Sequence, residues 1–117
     1  MLVIRQEQME AIGKSRLPEF YTLLESYIRE EFPQKESELA MPLRQWIEET
    51  YAQALLFGIK TKQEHVKYVN YKCIFGDDFV EANEFAHNIL TSSASASVKL
   101  AELKQAFLEE LERKQNA

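Results

Sequence analysis

The chain has 117 residues, enough for one globular domain with a single core but not for two. Hydrophobic residues make up 45% and charged residues 28%, and 19 Asp and Glu against 14 Lys and Arg leave a net charge of −5. Three Gly and three Pro argue against a turn-rich sandwich or barrel, and the acidic balance argues against a nucleic-acid-binding face.

Six segments read as helical and none as a confident strand. Met1 to Ile4 reads as a short arm, and a first helix is expected from about Arg5, with Ile4 and Met9 as a hydrophobic staple. The second is "PEFYTLLESYIREEF". Pro18 suits its first turn, and Phe20, Leu23, Leu24, Tyr27 and Ile28 follow the i, i+3, i+4, i+7, i+8 template. Glu25 and Arg29 form an i,i+4 pair, and Pro33 ends the helix. "QKESELA" reads as a polar connector.

A third helix is predicted from Pro42 to Phe57, with Leu43, Trp46, Ile47, Thr50, Tyr51 and Ala54 on one face. Gly58 follows at the C′ position, where a left-handed residue is wanted. Thr61 and Glu64 have capping-box spacing and open a fourth helix, Lys62 to Phe75, closed by Gly76. The two Phe-Gly pairs therefore mark helix ends, and the flanks show no wider repeat. A fifth helix is expected over roughly Glu81 to Leu90. After "TSSASAS", with Ser95 or Ser97 as N-cap, a last helix runs from Val98 to about Arg113. Its stripe is Leu100, Leu103, Phe107, Leu108 and Leu111. The expectation is one all-α domain over residues 1–117, a bundle of five to six helices. The Ser/Ala loop leaves open whether the segment 98–114 moves or closes one bundle through a tight turn, and the tight turn is preferred.

Cys73 is the only cysteine, so no intrachain disulfide or Cys-based zinc site forms, and a reducing compartment is the simplest reading. The first apolar run spans four residues, which predicts no signal peptide. No run approaches the roughly 18 apolar residues of a membrane span. Glu84 and His87 have the Glu-x-x-His spacing of di-iron bundles, but one copy without two further Glu falls short. Asp77, Asp78 and Glu81 lack the ligand pattern of a calcium loop and suit a helix N-terminus. Cys73 shares a helical face with Val66 and Val69, which makes it a small buried hydrophobe rather than a nucleophile paired with His65 or His87. The serines of 92–97 lack a nucleophile elbow, and there is no Gly-rich phosphate loop. No catalytic residue, metal or cofactor is expected.

Surfaces for partners remain. At about 100° per residue, the fourth helix has two apolar faces. Val66, Val69 and Cys73 define one. Tyr68, Tyr71 and Phe75 lie roughly opposite, flanked by Lys67 and Lys72. Either the helix is central and buried on both sides, the preferred reading, or Tyr68 and Tyr71 face a partner, as interface tyrosines often do. The last helix offers a second surface through Leu103, Phe107 and Leu111, which pack home or enter a partner's groove.

One pattern spans most of the chain: "VIRQEQM", Phe32-Pro33 after an amphipathic helix, Phe57-Gly58-Ile59, Phe75-Gly76-Asp77-Asp78-Phe79, then Ala86, Ile89 and Leu90. In these residues the chain resembles small helical proteins encoded in bacterial type VI secretion clusters, beside spike-tip (PAAR), effector and adaptor-chaperone genes. The resemblance implies a cytoplasmic, non-enzymatic accessory protein or co-chaperone. It would bind an adaptor chaperone or effector and help it reach the secretion spike. An immunity protein with an acidic surface for a basic toxin is the alternative. A metal enzyme built on Glu84 and His87 ranks last.

Overall fold

A computed structural model describes residues 16–115, with side chains through Arg113. The arm at Met1, the helix from Arg5 and the Ile4–Met9 staple lie outside them. Among the described residues the fold is all-α: α1 (Leu17–Glu31), α2 (Lys35–Glu38), α3 (Leu43–Leu56), α4 (Lys62–Phe75), α5 (Phe79–Ala82), α6 (Glu84–Leu90) and α7 (Ala96–Gln115). That is seven helices rather than five to six, and two short pieces account for the difference. The connector "QKESELA" winds one turn as α2, because the Lys35 side chain is buried against the bundle. The expected fifth helix breaks at Asn83, which is extended at φ −127° and ψ 110°. There the Asn83 amide donates to Phe79 O at 2.8 Å, taking the carbonyl that a continuing helix would use.

The helix ends follow local chemistry. Gly58 adopts φ +81°, and the N–H groups of Gly58 and Ile59 donate to Leu55 O and Ala54 O, each at 3.0 Å. This is the Schellman pattern, which satisfies two carbonyls left over at the end of α3. Thr61 and Glu64 form the reciprocal capping box, both bonds at 3.2 Å. Gly76 closes α4 at φ +103°. Ser95 Oγ accepts from Val98 N–H at 3.4 Å and caps α7, which begins at Ala96, two residues earlier than expected.

Contacts give the directions. Trp46, near the start of α3, meets Lys35 just past the end of α1, while Tyr51, further on, meets Phe20 near its beginning. So α1 and α3 run antiparallel. His65 and Asn70 of α4 meet Phe20 and Tyr27 in that order, so α4 runs parallel to α1. Tyr71 and Phe75 meet Leu100 and Phe107 in that order, so α7 runs parallel to α4.

The core has two halves, and α4 is the wall between them. One half joins Phe20, Leu24, Ile28, Leu43, Trp46 and Ile47 to Val66 and Val69, with Cys73 packed alongside. The other joins Ala54, Ile59 and Tyr68 to Phe79, Val80, Ala86, Leu90, Leu100, Leu103 and Phe107. A helix that buries opposite faces shows no single apolar stripe, which explains the double pattern in its sequence.

His65 lies on the first half. It is buried, stacks on Tyr51 with ring centroids 4.0 Å apart, and meets Phe20 edge-on. Its Nε2 has no hydrogen-bond partner among the described residues. Burial lowers its pKa to about 4, against the opposing hydrogen bond to the Ile59 backbone. The unfolded chain therefore binds a proton that the folded chain refuses, below about pH 6.5. Stability from this residue is full above that pH and is lost as pH falls toward 4. Urea titrations at pH 7.5 and pH 5 should differ by about 1–2 kcal/mol from His65 alone, and His65→Phe should remove that share of the slope.

Candidate functional site

The expected partner residues do not form one surface. Tyr68 is fully buried, and its hydroxyl donates to Gln53 Oε1 at 2.9 Å. Burial raises its phenol far above the ordinary range. Tyr71 is half-buried and donates to Leu100 O at 3.0 Å. Phe75 stacks on Phe107 with centroids 3.8 Å apart and planes 9° apart. Leu103 and Phe107 are buried in the same half of the core. Tyr68, Leu103 and Phe107 are covered by this chain and Tyr71 and Phe75 partly so, because α7 lies along the side of α4 that they occupy. Lys72 is also buried and donates to Gln53 Oε1 at 3.1 Å. Burial lowers its pKa, and the nearby Asp77 and Glu81 carboxylates work against that. Of the predicted set, Lys67 and Leu111 stay exposed.

Exposed large apolar side chains among the described residues include Leu17 and Leu23 of α1, Leu55 and Leu56 at the end of α3, Val98 of α7, and three toward the far end of α4 and α7. Ile74 is 52% exposed, Leu108 44% and Leu111 47%. Ile74 precedes Phe75 and Leu108 follows Phe107, so the ring stack brings them to one end of the molecule. Leu111 lies one turn beyond Phe107. Phe85 meets Phe107 edge-on at 5.1 Å and supports the stack from α6.

Beside Ile74, on the α1 side of α4, lies an open groove of about 410 Å³. Glu31 at the end of α1, Phe32, Pro33 and Gln34 of the α1–α2 turn, Lys35 and Glu38 of α2, and Cys73 of α4 line it. Burial pushes the Cys73 thiol up to about 12, so it offers the groove an unreactive, weakly polar wall. Asp77 fixes the geometry from behind. Its carboxylate accepts from Lys35 Nζ at 2.6 Å and from Trp46 Nε1 at 3.1 Å. The Lys35 ammonium also stands 5.1 Å from the centroid of the Trp46 ring. One aspartate of the Phe-Gly-Asp-Asp-Phe stretch thus ties the α4–α5 joint to α2 and α3.

Sequence reasoning missed Ile74, the groove and Asp77's role. Ile74 sits between the two apolar faces of α4 and belongs to neither. The groove forms from segments about 40 residues apart in sequence, and no local spacing announces it. Among the described residues, no group of three or more His, Cys, Asp or Glu is placed to hold a metal ion. No described helix is long and apolar enough to cross a membrane.

Compared with protein-family models, curated proteins and solved structures, the chain shows no significant match.

Proposed function

We propose that this chain is a protein-binding module that docks its partner at the far end of α4 and α7. The observation behind this reading is the trio Ile74, Leu108 and Leu111, about half exposed beside a rigid ring stack. Aliphatic side chains held on a stiff platform lose little order on binding, which favours a contact surface. The resemblance to accessory proteins of type VI secretion clusters supplies the context. In it, the partner is an adaptor chaperone or an effector to be loaded on the spike. The residues that carry the resemblance mostly build joints: Gly58 and Gly76 end helices, Ile59 and Phe79 are buried, and Asp77 ties three elements.

Co-purification with the adaptor or effector encoded beside it tests this reading. Wild type should capture one of them. Ile74→Asp with Leu108→Asp should keep the melting temperature within a few degrees, because both sites are exposed, and should lose capture. A double variant that binds like wild type overturns the docking face. Unchanged effector export after deletion of the gene overturns the secretion role.

The acidic surface favours one other reading, an immunity protein for a basic toxin. Glu30, Glu31 and Glu38, which cluster around the α1–α2 turn, form no ion pair among the described residues. Cells that express this protein and still die from the cluster's toxin would remove it.

A further inference from the structure

The groove at the α1–α2 turn has a lining that selects its occupant. Phe32, Pro33 and the Cys73 thiol give it apolar walls, and Glu31 and Glu38 supply carboxylates. Neither carboxylate is bonded to a cation among the described residues. The one lysine in the lining does not neutralise them, since its ammonium is directed at Asp77 and the Trp46 ring. Only its methylene stem is left for the groove. A long apolar stem with a cationic head matches this arrangement. The stem lies against Phe32, Pro33 and Cys73 while the head meets the carboxylates. The net charge of −5 draws such a group in from a distance. The volume of about 410 Å³ admits one extended side chain with bridging water.

We infer that this groove receives an arginine or lysine side chain of the protein partner, beside the apolar contact at Ile74, Leu108 and Leu111. The inference rests on the protein-binding reading and names the partner's chemistry: a segment that presents aliphatic residues and, next to them, a basic one. The groove adjoins the apolar trio because Cys73 and Ile74 are neighbours on α4, about 100° apart around the helix. One partner segment therefore spans both.

Hexa-arginine and hexa-lysine peptides are the probes, with hexa-glutamate as the negative control. Amide shifts on titration should concentrate at residues 31–38 and at Cys73. The emission of Trp46, the chain's single tryptophan, should change with them, because Lys35 and Asp77 touch its ring. Glu31→Gln with Glu38→Gln should weaken peptide binding about tenfold or more, in keeping with the loss of charge-assisted bonds. Glu19→Gln with Glu102→Gln removes the same charge from exposed sites elsewhere and should change affinity less than about threefold. Shifts spread over the whole acidic surface, or equal weakening by both pairs, overturn the groove assignment. The capture experiment separates the two levels. If the neighbouring adaptor or effector binds wild type and the Glu31→Gln, Glu38→Gln variant alike, the groove falls and the docking face stands. If neither is captured by wild type, the docking reading falls and the peptide titration still decides the groove.

Discussion

Tyr68→Ala should lower the unfolding free energy by about 3–5 kcal/mol, the range for truncating a buried aromatic. The ring is wholly enclosed, between Phe57 at 6.3 Å and Phe79 at 5.7 Å between centroids. Its removal opens a cavity in the half of the core that α4 shares with Ile59, Phe79 and α7. Tyr68→Phe should cost far less, about 0.5–1.5 kcal/mol. That substitution keeps the ring, and Gln53 Oε1 still accepts from Lys72. Urea denaturation of the two variants checks the ratio. A Tyr68→Ala protein as stable as wild type would mean that the ring is not part of this core. The same measurement bears on partners. Binding lost only in proportion to folded protein would confirm that Tyr68 acts through the fold.

Lys99→Met carries the second large effect, about 2–4 kcal/mol. The Lys99 side chain is buried, and its ammonium donates to Phe57 O and to Leu90 O, each at 2.8 Å. Those carbonyls lie at the C-termini of α3 and α6, where backbone acceptors run out of partners and the helix dipole attracts a cation. One amine therefore fastens three helices: α3, α6 and its own α7. Methionine preserves the stem and leaves both carbonyls unmatched. Removing a buried charge offsets part of that loss, so the estimate stays below the sum of two severed charged bonds. The consequence should be local as well as global. Amides in α7 should exchange hydrogen faster in Lys99→Met while those of α1 change less, which mass spectrometry can read. A uniform change across all helices would mean that the lysine is not a specific fastener of α7. Since α7 carries Leu108, the same variant should weaken partner capture beyond what the fraction unfolded explains.

Much of the architecture was legible because it is local. Thr61 and Glu64 announce a helix start by their spacing, and Gly58 announces a helix end because only glycine takes a positive φ without strain. The periodicity of Phe20, Leu24 and Ile28 placed a buried face that the structure retains. Leu23, on the same template, is 39% exposed because the α1 face narrows to the residues that meet α3 and α4. The break at Asn83 was not legible, since a side-chain amide competing for a carbonyl needs the actual geometry.

The candidate site divides along the same line. Lysine reads as a surface residue from sequence, yet Lys35, Lys72 and Lys99 are all buried. Lys35 and Lys99 each reach a partner 42 residues away, and Lys72 one 19 residues away. No window used to read periodicity spans those distances. The double apolar face of α4 was visible on a helical wheel, but what covers Tyr68, Tyr71 and Phe75 was not. That depends on where α7 lies. By itself, then, the sequence determined the all-α class, the main helix boundaries and the two-faced character of α4, because caps, glycine dihedrals and periodicity act over a few residues. Only the tertiary structure decided which aromatic rings are core and which aliphatic side chains stay outside. Burial is a property of neighbours brought together from distant parts of the chain, and here one stacked pair of rings, Phe75 on Phe107, sets the end where Ile74, Leu108 and Leu111 are left uncovered.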